Sequence, residues 1–289
     1  MEDYMMEEYT MEDYEKKRKV LRRLMDEYTR EDVAVAFSGG ADSSLLLKLA
    51  ALCAGEKGRQ VFAITAATDL HPAADEKIAE RVAVETGARH MVLRIRELEQ
   101  GDIRHNPVDR CYRCKKYLFQ QIKDMAEKAG APVVLEGTNT DDLTQYRPGL
   151  RAIEELGIKS PLKEAGFTKA QVRRLAKEHG ISVADRPSSP CLATRFPYGA
   201  ELTVEKLKQA EGGEEYLRTL GLYNVRLRVH GDIARIEADR EALGTVAERR
   251  EEVVRHLKDL GHRYITLDLE GFRSGSMDEG LELGKEKRL

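Results

Sequence analysis

Val33-Ala-Val-Ala-Phe-Ser38-Gly39-Gly40-Ala41-Asp42-Ser43-Ser44 is the stretch that decides the fold. Its first five residues, all apolar, read as a buried parallel strand. Ser38-Gly39-Gly40 then makes a tight turn in which two residues lack a Cβ, so several backbone N–H groups can face one concavity. Leu45, Leu46, Leu47, Leu49, Ala50 and Leu52 read as the buried helix that follows. A glycine turn between a strand and a helix is an anion site, because free N–H groups and the positive end of the helix dipole both favour phosphate. The Gly-Lys-Ser/Thr ending of a Walker loop is absent, and so is the third glycine of a dinucleotide fingerprint.

Working outward, Lys16 to Tyr28 reads as an amphipathic helix with Val20, Leu21, Leu24 and Met25 on one side. Residues 1–15 are polar and acidic, which suits a frayed extension or an oligomer contact. Val61–Thr65, His90–Ile95 and Val133–Glu136 read as further strands. Helices are expected over Pro72–Thr86, about Cys111–Ala129 and Thr168–His179, the last capped by Thr168 and stopped by Gly180. Strands alternating with helices at this spacing predict an α/β fold, a parallel sheet with helices on both faces. Ligands of such sheets lie at the carboxyl ends of the strands, where the Ser-Gly-Gly turn stands. Gly137-Thr-Asn139-Thr-Asp141-Asp142 follows another strand end. It suits metal-binding acids or ribose contacts as well as a solvated turn.

Asp185-Arg186-Pro187-Ser188-Ser189-Pro190-Cys191-Leu192-Ala193-Thr194-Arg195-Phe196-Pro197-Tyr198-Gly199 contains three prolines and cannot be regular structure. It is expected to hold Cys191 out of any core, and the domain boundary is placed here, giving domains 1–185 and 186–289. The second is smaller: a helix over Thr203–Leu220 interrupted at Gly212-Gly213, a hairpin of Asn224–His230 and Ile233–Glu237, a helix over Val246–Leu260 and a strand over Tyr264–Leu269. That order predicts a small α+β domain.

Lys and Arg number 48 against 51 Asp and Glu, a net charge of −3, so no global basic field attracts nucleic acid. No apolar run is long enough to span a membrane, and the acidic N-terminus lacks the basic and apolar regions of a signal peptide. A cytoplasmic protein is the expectation. In that reducing compartment, Cys111-Tyr-Arg-Cys114 points to metal or redox chemistry rather than a structural disulfide. The pair opens a helix, whose dipole favours thiolate. With Cys191 it makes three thiols, which suit an iron–sulfur cluster with one iron left open; a redox pair with Cys191 as bystander is the other reading. Cys53, in the leucine-rich helix, reads as a core residue. The seven histidines form no ligand-spaced cluster.

Ser38-Gly-Gly-x-Asp42-Ser43 after an apolar strand resembles the PP-loop of the ATP pyrophosphatases, which split ATP into AMP and pyrophosphate. Glu136-Gly-Thr-Asn139, Asp141-Asp142, Tyr146-Arg-Pro-Gly149 and Ser188-Ser-Pro-Cys191-Leu-Ala-Thr-Arg195-Phe-Pro-Tyr-Gly199 together resemble the LarE family, the ATP-dependent sulfur transferases of nickel-pincer cofactor synthesis. The resemblance runs from about Lys16 to Met277. It implies adenylation of a carboxylate of pyridinium-3,5-biscarboxylic acid mononucleotide and its conversion to a thiocarboxylate. It further implies ATP binding by Ser38, Gly39, Gly40, Asp42 and Ser43, with Asp42 helping to place Mg²⁺, and a sulfur-bearing role for Cys191. One branch of the family sacrifices that cysteine to dehydroalanine. Another holds a 4Fe-4S cluster on three cysteines, and Cys111, Cys114 and Cys191 match it. Arg226, Arg228 and His230 fall on one face of their strand, opposite Val225, Leu227 and Val229; that face is either solvated or a cationic wall for a small nucleotide substrate bearing phosphate and carboxylates, which Arg195 and Arg273, both matching family positions, would complete. Lys115 is a weaker candidate for touching ATP. Gln145 stands where the family pattern has Asp. A homo-oligomer is implied; the sulfide donor is not.

Three other readings compete. A PP-loop enzyme that thiolates tRNA also pairs C-x-x-C with a third cysteine, but it needs a basic stripe. An amidotransferase or NAD-synthetase-like ligase has no need for Cys191. A nucleotide-binding sensor would never cleave ATP.

Overall fold

The computed structural model describes residues 2–144, 147–187, 190–273 and 275–278. The chain divides into two compact units, residues 1–102 with 109–189 and residues 103–108 with 190–289. Sequence reading leaves the excursion Ile103–Val108 with the nucleotide-binding part.

The first unit carries β1 (Val33–Ala36), β2 (Val61–Thr68), β3 (Arg89–Ile95) and β4 (Val133–Leu135), all parallel, in the order β3-β2-β1-β4. The chain leaves β1 toward β2 and β3 and returns on the other side as β4. The carboxyl end of β1 is therefore the point where strand order reverses, the place where such sheets bind ligands. Lys159 extends the sheet beyond β4 by a parallel bridge to Leu135. The helices are α1 (Glu2–Tyr28), α2 (Ala41–Gly55), α3 (Ala73–Thr86), the single turn α4 (Glu97–Gln100), α5 (Arg110–Lys128), the short α6 (Gly149–Glu155) and α7 (Pro161–Glu164), and α8 (Lys169–Glu178).

Because strand side chains alternate, one sheet feeds two cores. Val33, Val35, Val61 and Ala63 pack with Leu21, Met25, Leu45, Leu46, Leu47, Val82 and Val172 from α1, α2, α3 and α8. Ala34, Phe62 and Ile64 face the other way, toward Phe119, Ile122 and Ala126 of α5 and Ile153 of α6. α1 begins at Glu2, well before the expected Lys16. Tyr14 explains the difference: its ring is buried edge-on against Phe167 at 6.1 Å, and its hydroxyl donates to Glu178 at 3.1 Å. Tyrosines and methionines scattered among acids carry no clear helical signal.

The second unit has α9 (Val204–Thr219), β5 (Val225–His230), β6 (Ile233–Ala238), α10 (Leu243–Glu248), α11 (Arg250–Asp259) and β7 (Tyr264–Leu267). β5 and β6 form the expected hairpin, and β7 joins β6 in parallel. α9 runs unbroken through Gly212-Gly213, contrary to the expected interruption. A Cβ on Gly213 would collide with Leu227, so this glycine serves close helix–sheet packing rather than a break. Leu217, Leu222, Val225, Leu227, Ala234, Ile236, Val253 and Leu257 make a core of their own.

Leu46 is fully buried where α2 meets the sheet. Leu46→Ala should therefore cost about 2–5 kcal/mol. With no tryptophan in the chain, the check is urea unfolding followed by far-UV circular dichroism.

Candidate functional site

The phosphate loop is held by its own hydroxyls. Ser38 Oγ and Ser43 Oγ are 3.1 Å apart, Ser43 Oγ donates to the Gly40 carbonyl at 3.2 Å, and Ser43 Oγ accepts from Ser38 N–H at 3.3 Å. Gly39 has φ +70°, and an added Cβ would lie 2.9 Å from the Ala79 backbone nitrogen of α3. Both the backbone angle and the close approach demand glycine. Gly40 caps α2 with no side-chain hydrogen bond, so the first-turn N–H groups stay available to an anion.

Asp42 sits in that first turn. Lys169 Nζ pairs with its Oδ2, and Asn139 Nδ2 donates to its Oδ1 at 3.3 Å. Gly137 lets β4's loop approach, since a Cβ there would be 3.0 Å from Asp42 Cβ and from Ser43 N. The rest of that loop is busy with itself. Glu136 is buried and accepts from Thr138 N–H at 3.1 Å, from Thr138 Oγ1 at 2.7 Å and from Ser160 Oγ. Asp142 accepts from Asn139 N–H at 3.1 Å and pairs with Arg147 at 2.9 Å, and Asp141 accepts from Lys169 N–H at 2.9 Å. These acids thus serve the loop's architecture. The Gln145 departure and Tyr146 lie outside the described residues.

Arg186 also reaches the phosphate loop: it donates to the Gly39 carbonyl at 3.4 Å and pairs with Asp75 of α3. Sequence reading missed Lys169 and Arg186. Thr168 marked the start of α8, which places Lys169 at a helix N-terminus, but no local pattern says where its amino group points.

Cys111 is exposed and Cys114 half-buried in the opening of α5. The buried Arg110 places a guanidinium nitrogen 3.8 Å from Cys111 Sγ. Tyr112, between the two cysteines, is locked to α6. Its hydroxyl donates to Glu155 at 2.7 Å, and Lys116 and Arg151 lie over its ring at 5.3 and 5.0 Å. Hydrogen bonds from Lys116, Tyr112 and Arg151 push the Glu155 carboxyl down to about 2. Gly149 allows this packing, because a Cβ would meet Lys115 and lie 3.2 Å from the Cys111 carbonyl. Lys115 itself lies over the Phe119 ring at 5.8 Å. Cys53 is sealed in the core, and burial raises its thiol.

In the second unit, Cys191 is half-buried just ahead of a 3-10 turn, Leu192–Arg195. Three buried side chains hold this segment by its backbone. Asn106 Nδ2 donates to the carbonyls of Phe196 at 3.0 Å and Pro197 at 2.8 Å. Arg195 donates to the carbonyls of Pro190 at 3.2 Å and Cys191 at 3.3 Å. Arg228 donates to the Thr194 carbonyl at 2.6 Å.

These contacts revise the expected cationic wall. Arg195 is only 3% exposed and binds Glu214 through two bonds of 2.7 and 2.8 Å. Arg228 pairs at 3.0 Å with Glu237, which is fully buried. Both charges are neutralised inside the unit, and both arginines brace the loop of Cys191. Arg226 differs: it donates to its own Val225 carbonyl at 2.8 Å and lies over Phe272 at 5.3 Å. Burial, reinforced by the charge of Arg195, pulls its guanidinium down to about 10. Arg273 pairs with Glu270 at 3.0 Å. Among the described residues, no three His, Cys, Asp or Glu side chains stand together as a metal cage. No helix there is long and apolar enough to cross a membrane.

Comparison with known proteins bears on this site. Residues 13–146 match a PP-loop domain family. The chain is 41% identical over 249 residues to the pyridinium-3,5-bisthiocarboxylic acid mononucleotide synthase of Lactiplantibacillus plantarum, covering 86% of this chain and 90% of that protein. It is 37% identical to an uncharacterised protein of Synechocystis sp., covering 92% of this chain and 98% of that protein. An uncharacterised protein of Methanocaldococcus jannaschii is 32% identical, over 89% of this chain and 96% of its own length.

Burial opposes ionisation of Glu214, but the hydrogen bonds and charge of Arg195 outweigh it and hold the carboxyl below its ordinary value. Its stabilisation is thus complete above the usual glutamate pKa and is lost as pH falls through the lowered one. Glu214→Gln leaves Arg195 buried without its counter-charge and should cost about 3–5 kcal/mol. In urea midpoints measured from neutral to acid pH, the variant should start lower and lose less on acidification.

Proposed function

Because the chain belongs to the LarE family of ATP-dependent sulfur transferases, we propose that it converts a carboxylate of pyridinium-3,5-biscarboxylic acid mononucleotide to a thiocarboxylate at the expense of ATP. The reading is carried by one conjunction. An uncapped helix N-terminus behind Ser38-Gly39-Gly40 occurs in a chain 41% identical to a synthase of that bisthiocarboxylic product.

In the first half-reaction a substrate carboxylate oxygen attacks the α-phosphorus of ATP. The bond to pyrophosphate breaks and an acyl adenylate forms. Carboxylates are ionised at neutral pH, so no general base is required. Charge grows on the departing pyrophosphate, where the N–H groups of α2 and the helix dipole lie ready. Asp42 is the acid in the loop's first turn that would meet a phosphate-bound Mg²⁺, with Lys169 as the adjoining cation. In the second half-reaction a nucleophile at the oxidation level of hydrosulfide attacks the acyl carbon. AMP leaves with the bonding electrons, and no redox change occurs.

Cys111, Cys114 and Cys191 are the thiols that would hold a 4Fe-4S cluster. What supports this donor set is that all three are thiols within reach of solvent, whereas Cys53 is sealed, and that Arg110 stands 3.8 Å from Cys111 Sγ. Such a cluster would supply a sulfide on its open iron. Glu214 and Glu237 take up Arg195 and Arg228, so recognition of the substrate's anionic groups falls chiefly to Arg226 and Arg273. Arg226 is the stronger of the two, since among the described residues no carboxylate forms an ion pair with it. The reading places the enzyme in a reducing cytoplasm, as a homo-oligomer.

Anaerobically purified protein should contain about four irons and at least as many labile sulfides per chain, and Cys111→Ala should lose them. Pyrophosphate release should depend on the pyridinium substrate. Absence of iron from both proteins, together with hydrogen sulfide lost from Cys191 after turnover, would replace the cluster with a sacrificial cysteine. Release that ignores the substrate would sink the adenylation reading itself.

A further inference from the structure

Arg186 lies five residues before Cys191 in the sequence, yet its side chain belongs to the phosphate loop. One guanidinium nitrogen donates to the Gly39 carbonyl at 3.4 Å, and the other pairs with Asp75 in the first turn of α3. Both partners are largely buried, at 21% and 17% side-chain exposure. The same helix backs the loop a second time, where Ala79 closes on Gly39.

The Gly39–Gly40 peptide is the one in this loop most free to turn over, because neither flanking residue has a Cβ. In a trans peptide the carbonyl and the next N–H point in opposite directions. Holding the Gly39 carbonyl toward Arg186 sends the Gly40 N–H the other way, toward Ser38 Oγ at 3.4 Å. Ser38 Oγ in turn meets Ser43 Oγ at the opening of α2. The flipped peptide would turn a carbonyl oxygen, not an N–H, toward Ser38 Oγ and the opening of α2, where an anion would be repelled.

We infer that Arg186, anchored by Asp75, is a positioning residue for the pyrophosphate part of ATP: it holds the Gly39–Gly40 peptide in the orientation that accepts phosphate. The inference rests on the PP-loop and not on sulfur transfer. Arg186 acts through Gly39 without touching the nucleotide's base or ribose.

The experiment uses the full chain and its Arg186→Met, Arg186→Lys and Asp75→Asn variants. Calorimetry measures binding of ATP with Mg²⁺, of pyrophosphate and of AMP. Arg186→Met should weaken ATP and pyrophosphate about tenfold, the worth of one charge-assisted hydrogen bond, and AMP less than twofold. Arg186→Lys should recover part of the loss, and Asp75→Asn should share its direction. Equal losses for ATP and AMP would mean general damage to the nucleotide site and would overturn the inference. So would unchanged binding of all three ligands, or a fall in melting temperature with the ATP-to-AMP ratio intact. None of these measurements involves sulfur, so a failed sulfur-transfer assay leaves this result standing, and the reverse holds too.

Discussion

An unsatisfied helix end is the constraint on which this molecule depends. α2 starts directly after a glycine turn, with no side chain capping its first N–H groups. Leaving such donors unpaired is costly unless water or a ligand meets them. The protein sets them at the carboxyl end of β1, where strand order reverses, and surrounds them with polar groups from other elements. Ser38 and Ser43 brace the turn from within; Lys169 and Asn139 hold Asp42 beside it. α3 closes on Gly39 from behind, through Ala79 and through the Asp75–Arg186 pair. A charged triphosphate is the kind of ligand for which this arrangement makes physical sense.

The second unit solves a different problem, that of holding a cysteine accessible on an irregular segment. Prolines restrict the chain, but they donate no hydrogen bonds. The backbone carbonyls of the segment are met instead by Asn106, Arg195 and Arg228, all buried. Burying two guanidinium groups is tolerable only because Glu214 and Glu237 neutralise them at hydrogen-bonding distance. The same pairing removes these arginines from the supply of free positive charge. Arg226, on β5 with Arg228, has its charge opposed by burial and by Arg195, and the charge of Glu214 offsets this only in part.

Much of the fold was legible because its signals are local. The apolar run Val33–Phe37, the leucines of α2 and the Thr168 cap each declare an element without reference to the rest of the chain. The match of Ser38 to Ser43 to a phosphate-binding turn is equally local. The misreadings share one cause, a dependence on distant partners. Gly213 looked like a helix break until Leu227 stood against it, and Tyr14 fell in a stretch read as a frayed extension or an oligomer contact until Phe167 covered its ring.

The sequence by itself determined the alternation of strands and helices, the anion-binding turn and the three thiols available for chemistry, since each follows from residue type and spacing. Tertiary structure decided which charges are free. Arg195, Arg226 and Arg228 look interchangeable along the chain, yet two are spent on buried carboxylates and one is not. Lys169 and Arg186 reach the phosphate loop only because α8 and the segment after it fold back onto α2 and α3. An ion pair forms where side chains meet in space, and no local pattern records who the partner is.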